Sequence, residues 1–453
     1  MVDLNLQQLQ SKVTPQLWKL LLQIADAAEK RGWHLYLVGG IVRDLLLAGS
    51  QLDSFSIKDI DLVVDGCQQI AQVGAGVALA KVVQKLHPEC QLNTYGTFQT
   101  AALLWGEDSI FSSLGIDIAT ARTEFYPYPA ANPIVEASSI NRDLYRRDFT
   151  INAMAVRLTP DSKHPPLLDL YGGLADLAAK QLRVLHPDSF IDDPTRIYRG
   201  VRFAKRLGFT IEAQTEQYIR DAVSSGIYDR TAQLNPKTPA LQSRLKTELK
   251  YLLQVSYWRS MIELLGDLGA LQCIHPSLKL DPELLDQLRL LDRCLTRFDS
   301  AQSITHWQVR LETIIAHLGL EYRDRVAKNL QLPMDSINRL NKLDLVESEL
   351  INSLPTFDRT SQIYRLLRQF DRQTLMIIAA RSIMVRRQIW KYLTVWVNIQ
   401  PILTGEDLQR LGYQAGKQYR QILNKLFDAA LDGVIIDKAS AEKLLLSDKT
   451  FAT

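Results

Sequence analysis

The hydrophobic pattern of this chain changes period about a third of the way along. Through about residue 158, short apolar runs that stop at Gly or Asp alternate with helical stretches. HLYLVGG reads as a buried strand stopping at two glycines, and IVRDLLLAG as a helix opening directly after them. DIDLVVDG, QTAALLW and GIDIATAR are further strands. Ahead of them, residues 14–31 have helical spacing, with Thr14 placed to cap and Pro15 at the first helical position. From about residue 165 onward nearly every apolar run is helical, with breaks near 231–239, 275–281, 332–336 and 353–358. No repeat at a fixed period and no low-complexity linker interrupts it. An α+β head followed by an elongated all-helical neck, body and tail is predicted.

Composition narrows the class without naming a function. At roughly 150 residues per domain, 453 residues suggest about three globular units. Apolar residues at 46% and charged residues at 23% exclude a disordered or collagenous chain. Lys and Arg total 53 against 50 Asp and Glu, a net charge of +3. Any nucleic-acid surface must therefore come from local clustering. Cys67, Cys90, Cys273 and Cys294 make no C-x-x-C pair, so neither a zinc knuckle nor a disulfide framework is predicted, and a reducing cytoplasm fits. The N-terminus lacks the pattern of a signal peptide, and no stretch has the ~18 apolar residues of a membrane span.

Four segments carry chemistry. In LVGGIVRD, residues 37–44, Gly39 and Gly40 let the backbone approach a phosphate at a helix N-terminus, and Arg43 in the first turn could pair with a phosphate oxygen. Alone, the segment is equally an ordinary tight turn. In DIDLVV, residues 59–64, Asp59 and Asp61 project to one side of a strand and gain from a shared divalent cation. Asp117, in GIDIATAR, is a third acid on a neighbouring strand; alone, these are an acidic sheet edge.

In DLYRRDFTINAMA, residues 143–155, Arg146, Arg147 and Asp148 precede a small-and-apolar run read as helical. Arginines beside an acid suit sugar or phosphate contacts, or form a surface cluster. In DDPTRIYRGVRFAKRLGF, residues 192–209, Asp193 and Pro194 open a helix, the acid suited to a cap. Arg196, Arg199 and Arg202 are spaced three apart, so they fan over roughly 120° of one face, without matching acids on that helix.

A glycine turn about 20 residues before a D-x-D strand, with a later strand Asp, resembles the nucleotidyltransferase fold shared with DNA polymerase β. The four segments, in order over the first 210 residues, resemble the class II tRNA nucleotidyltransferase and bacterial poly(A) polymerase family. IDIATARTE and LLDLYGGLADLAAKQLRVL agree with it. The resemblance implies a catalytic set of Asp59, Asp61 and Asp117, with Mg²⁺ on Asp59 and Asp61. It implies nucleotide binding by Gly39, Gly40, Arg43 and Arg147, and an amino-acid template of Asp193 and Arg196 that Arg199 and Arg202 help position unless they contact phosphate. The template has a physical basis: cytosine and adenine each present an exocyclic amine to an aspartate, whereas guanine and uracil present a carbonyl. The family usually has Glu–Asp where this chain has Asp192–Asp193, and the template Asp is kept.

The resemblance implies a helical extension over 1–34, a catalytic head over 35–158, a neck with the base-selecting helix over 159–255, a body over 256–350 and a tRNA-binding tail over 351–453. Residues 401–445 look like the tail of bacterial tRNA nucleotidyltransferases and lack the strongly basic ending usual in poly(A) polymerases. Basic residues interleave with aromatics from Arg381 to Lys425, as with Arg381, Arg386, Arg387 and Lys391 around Trp390 and Tyr392, an arrangement open to RNA phosphates or to ordinary packing. The implied partners are tRNA, at its 3′ end and acceptor and T arm, with CTP and ATP; no membrane and no obligate protein partner is implied. The expected reaction adds C, A or both to tRNA, by two-metal transfer releasing pyrophosphate, in the cytoplasm. Poly(A) polymerase, and a CC-only or A-only enzyme, are the alternatives. The 23 residues between Arg122 and Arg146 are long enough for the flexible loop that goes with A addition in the family. A non-catalytic relative would be expected to lose an acid of D-x-D or the template pair, and all are present.

Overall fold

The computed structural model describes residues 6–48, 57–66, 74–95, 99–111, 113–161, 166–228, 239–299, 301, 303–413 and 416–447. Cys67 and most of the expected break at 231–239 lie outside them; Cys90, Cys273 and Cys294 are free thiols. The chain forms two compact units, one of residues 1–248 with 259–276 and one of 249–258 with 277–453.

The first unit is built on a seven-stranded sheet. Its strands are β1 (His34–Val38), β2 (Asp59–Asp65), β3 (Gln91–Tyr95), β4 (Thr100–Leu104), β5 (Gly115–Thr120), β8 (Ala155–Arg157) and β9 (Leu167–Leu168), in the order β3-β4-β5-β2-β1-β8-β9. Only β2 and β5 run parallel. β6 (Arg122–Phe125) and β7 (Ile134–Ala137) form a separate hairpin. The expected strands 34–40, 59–66, 99–105 and 115–122 are all present. INAMA differs from its expected helix: Thr150–Asn152 is one 3₁₀ turn, after which the chain enters β8. Three small or β-branched residues cannot hold a helix against a free sheet edge, and Ala155 and Val156 pair with both β1 and β9.

Helix α2 (Pro15–Glu29) opens as read, with the Thr14 hydroxyl accepting from Leu17 N. Helix α3 (Gly40–Leu47) follows β1 after a single residue, Gly39. Helix α5 (Ile140–Tyr145) packs Ile140 and Leu144 with Tyr36, Val38, Val63 and Ala155 in the core beneath the sheet. Helix α8 (Thr195–Leu207) buries Ile197, Tyr198, Val201 and Ala204, and the Tyr198 hydroxyl donates to the carbonyl of Ala270 at 2.8 Å. Gly200 lets α8 approach Phe149, whose ring atom lies 2.9 Å from where a Cβ would sit.

The second unit is helical, including Pro282–Phe298, His306–Ala316, Met334–Ser353, Arg372–Arg381 and Ile383–Thr394. Near its end Thr404 and Asp407 form a capping box, and Leu403, Leu408, Ile422, Leu426, Ile435, Ala441 and Leu445 make a core. Part of the basic–aromatic stretch is packing: Tyr392 is buried, Arg381 pairs with Asp344 and Glu347, and Arg386 donates to the carbonyls of Ala379 and Ala380. Arg387 and Lys391 stay exposed. No helix among the described residues is long and apolar enough to cross a membrane.

Candidate active site

A cavity of about 1030 Å³ opens within the first unit. Its walls hold Gly39, Gly40, Arg43, Asp59, Asp61, Asp117, Arg147, Asp193, Arg196 and Arg199, so segments more than 150 residues apart converge on one space. Arg202 does not line it; Glu248, which does, holds the Arg202 Nε at 2.9 Å.

The acidic end follows from strand register. Asp59 and Asp61 alternate with buried Ile60 and Leu62, so both carboxylates leave the same face. Parallel pairing of β2 with β5 sets Asp61 opposite Asp117, and antiparallel pairing with β1 sets Asp61 opposite Val38, one residue before the glycine turn. Gly39 has φ +78° and ψ −144°. A Cβ there would lie 3.0 Å from Arg147 Nη1 and 3.2 Å from Asp61 Oδ2, so conformation and space both demand glycine.

Asp61 is accessible yet ringed by protein. That loss of water raises its pKa, the Arg147 charge opposes the rise, and Asp59 adds to it. Asp117 is likewise raised, by burial first and then by Asp61 and Asp59. Three like charges with too few cations around them make a site that favours a positive ion. Among the described residues no group of three or more His, Cys, Asp or Glu side chains is arranged to hold a metal by itself. A two-carboxylate wall beside an open cavity fits Mg²⁺, which uses one or two carboxylates and completes its shell with water and phosphate oxygens.

The basic end is a chain of buried pairs. Arg43 is 3% exposed, and its Nη1 donates to Asn152 Oδ1 at 2.6 Å. Asn152 Nδ2 donates to Asp148 Oδ1 at 2.9 Å, and Arg199 Nε donates to Asp148 Oδ2 at 2.8 Å. Burial works to raise the Asp148 pKa, but Arg199, Asn152 and the Phe149 N–H outweigh it and bring it down to about 2. Asp148 in turn is the main reason the Arg199 pKa is raised. Arg199 and Arg202 therefore do have matching acids, Asp148 and Glu248, supplied by other elements rather than by α8. Phe203 lies among the guanidiniums of Arg43, Arg199 and Arg202, 4.8–5.4 Å from its ring centre.

Asp193 and Arg196 meet at the mouth of α8. Arg196 is 6% exposed; its Nη1 donates to Ser189 Oγ at 2.5 Å and its Nη2 to the Arg146 carbonyl at 2.8 Å. Asp193 Oδ1 accepts from Thr195 N at 3.0 Å and Thr195 Oγ1 at 2.6 Å, the cap-like turn expected of an acid before Pro. Between Arg122 and Arg146 the expected loop region holds the β6–β7 hairpin and α5, with Glu124, Tyr126, Asn132 and Pro133 on the cavity wall. Glu124 and buried Asp143 bind Arg146, which carries the carbonyl that Arg196 uses.

The sequence reading passed over Asn152, Ser189, Thr195, Arg244 and Glu248. Asn152 and Thr195 stand inside quoted segments, Asn152 as a polar residue among small and apolar ones and Thr195 two positions after Asp193; Arg244 and Glu248, on the helix Pro239–Gln254, carried no local signal.

A mixed sheet with a D-x-D strand, a glycine turn and a following helical unit defines a nucleotidyltransferase head of the polymerase-β type. Residues 35–183 match the family described as the poly A polymerase head domain. Over most of its length the chain is similar to tRNA nucleotidyltransferases. It is 34% identical over 91% of its length to an A-adding tRNA nucleotidyltransferase of Geobacter sulfurreducens, of which it spans 45%. It is 29% identical over 93% of its length to an A-adding tRNA nucleotidyltransferase of Halalkalibacterium halodurans, spanning 90% of it. Among solved structures, the Thermotoga maritima CCA-adding enzyme complexed with tRNA superposes with a TM-score of 0.73 at 28% identity, covering 97% of this chain and 98% of that one.

Proposed function

We propose that this chain adds nucleotides to the 3′ end of tRNA from ATP and CTP, without a nucleic-acid template, with addition of the terminal A as its main activity. The observation that carries the reading is one cavity holding the Asp59–Asp61 pair at one end and Asp193–Arg196 at the other. Relatives named A-adding align over more than nine-tenths of the chain, which favours A over C.

In this reading Gly39, Gly40 and Arg43 hold the triphosphate, the turn by backbone approach and the arginine by charge. Arg147, beside Asp61, reaches the sugar or triphosphate. Asp59 and Asp61 would hold Mg²⁺, which when bound activates the RNA 3′ hydroxyl and stabilises the leaving pyrophosphate. Asp117 faces Asp61 across the register and takes the proton the hydroxyl loses. The new bond joins the RNA 3′ oxygen to the α-phosphorus as the bond to pyrophosphate breaks. Asp193 accepts from the base amine and Arg196 donates to the ring acceptor, while Arg199 and Arg202 brace α8 through Asp148 and Glu248. Exposed Arg387 and Lys391 fit a tail that grips the tRNA backbone. The cytoplasm, where tRNA ends are made, is the proposed place of action.

Purified protein, Mg²⁺ and labelled CTP or ATP, offered tRNAs lacking CCA, ending in C or ending in CC, test the reading. A single A added to the CC end supports it. Use of CTP on the shorter ends would make the chain a CCA-adding enzyme, and long A tails on arbitrary RNA would make it a poly(A) polymerase. No incorporation on any end would overturn it.

A further inference from the structure

A carboxylate can read a base only if one oxygen is presented at a fixed angle and only as an acceptor. The side-chain bond that aims it, Cβ–Cγ, is a soft torsion with broad wells. Asp193 is 8% exposed, and two other residues decide what its oxygens do. Thr195, 3% exposed, gives both its backbone N–H and its hydroxyl to Oδ1. Arg244 Nη1 stands 3.5 Å from Oδ2. One oxygen is thus pinned by Thr195, and the other, paired with the Arg244 cation, keeps acceptor capacity for a further donor.

Arg244 is an odd investment for stability alone. Among the described residues its Nε and Nη2, both buried, have no hydrogen-bond partner, and orphaned donors of that kind cost free energy in a folded chain. It forms an ion pair with Asp193, which lines the same cavity. The Thr195 N–H and hydroxyl and the Arg244 guanidinium all turn their hydrogens toward the Asp193 oxygens. An aspartate oxygen held at the base edge accepts from the amine of adenine or cytosine and is repelled by the carbonyl of guanine or uracil, whereas one rotated away from that edge discriminates neither.

We propose that Thr195 and Arg244 are positioning residues that set base selection, by locking Asp193 as a one-sided acceptor. The inference rests on the reading of Asp193 and Arg196 as the base-reading pair and adds who holds that pair in its selective state. Neither residue needs to touch the nucleotide.

The test is kcat/KM for ATP, CTP, GTP and UTP on tRNA ends with Thr195→Val, Thr195→Ser, Arg244→Gln and Arg244→Lys. Thr195→Val keeps shape and removes the hydroxyl donor. It is expected to raise the ratio of GTP and UTP use to ATP and CTP use about tenfold, the size of one lost hydrogen bond to a charged group. Thr195→Ser should restore the ratio. Arg244→Gln should raise the ratio similarly, and Arg244→Lys should recover part of it. A fall in all four nucleotides by one common factor, with the ratio unchanged, would mean the two residues serve folding only and would overturn the proposal. Asp193→Ala separates the two levels. If it abolishes discrimination while Thr195→Val and Arg244→Gln do not alter it, this inference alone fails; if it leaves the ratio unchanged, the base-reading assignment fails and the inference falls with it. Should Thr195→Val not fold, the Arg244 pair decides.

Discussion

Arg43 and Asn152 are joined by a 2.6 Å hydrogen bond that ties the helix after the glycine turn to the residues bracing α8. Asn152 passes the connection to Asp148, and Asp148 to Arg199. Arg43, Asn152, Asp148 and Arg199 are therefore one polar network along the cavity wall, and its members are expected to act together.

Asp148→Asn should cost about 2 kcal/mol of folding stability, the range for losing hydrogen bonds to a buried charged group. Urea unfolding of the two proteins measures it. The Asn152→Ala and Asp148→Asn losses should not add, because both break the same chain.

The same carboxylate gives a pH dependence of known sign. Its folded pKa of about 2 lies below the usual 3.8, so its contribution is complete above about pH 4 and disappears as pH falls toward 2. The stability gap between wild type and Asp148→Asn should shrink across that window. His186 acts over a higher one: burial, then Arg196, lowers it from 6.5 to about 4, so the folded state prefers it neutral. Stability should decline from about pH 6.5 to 4, and His186→Gln should flatten that slope in pH-resolved thermal unfolding.

Asp61→Asn separates stability from activity. Loss of water around Asp61 raises its pKa, so its charge opposes folding when no cation is bound, and the variant should be more stable than wild type in EDTA. Nucleotide incorporation should fall at least about a thousandfold with Mg²⁺ present. An unchanged or lower stability in EDTA would contradict the electrostatic account.

Gly39→Ala should lose about 1–3 kcal/mol, because φ +78° with ψ −144° is glycine backbone and the added Cβ meets Arg147 and Asp61. Incorporation should drop with it, since the same Cβ displaces the groups beside the phosphate turn. Thermal unfolding and an incorporation assay on one preparation check both.

Much of this site is legible in the chain itself. The strand–glycine–helix turn, the two acids on one strand face and the cap at Asp193 depend on residues within a few positions of one another, and local steric and turn rules decide such features. Short, small-residue segments were legible only in part. INAMA carries helical composition, yet its last residue, Ala155, enters β8 between β1 and β9, and pairing within the sheet outweighs a weak local preference.

The sequence by itself determined which residues could meet a phosphate, a metal or a base, because backbone geometry and side-chain chemistry are properties of neighbours. Tertiary structure alone decided which charges were already spent. Asp148 and Glu248 neutralise Arg199 and Arg202 across 51 and 46 positions, and strand register sets Asp117 opposite Asp61. It also brought Arg244 to Asp193. Electrostatic energy depends on distance through space and on the water removed along the way, and neither quantity is written in the order of the residues.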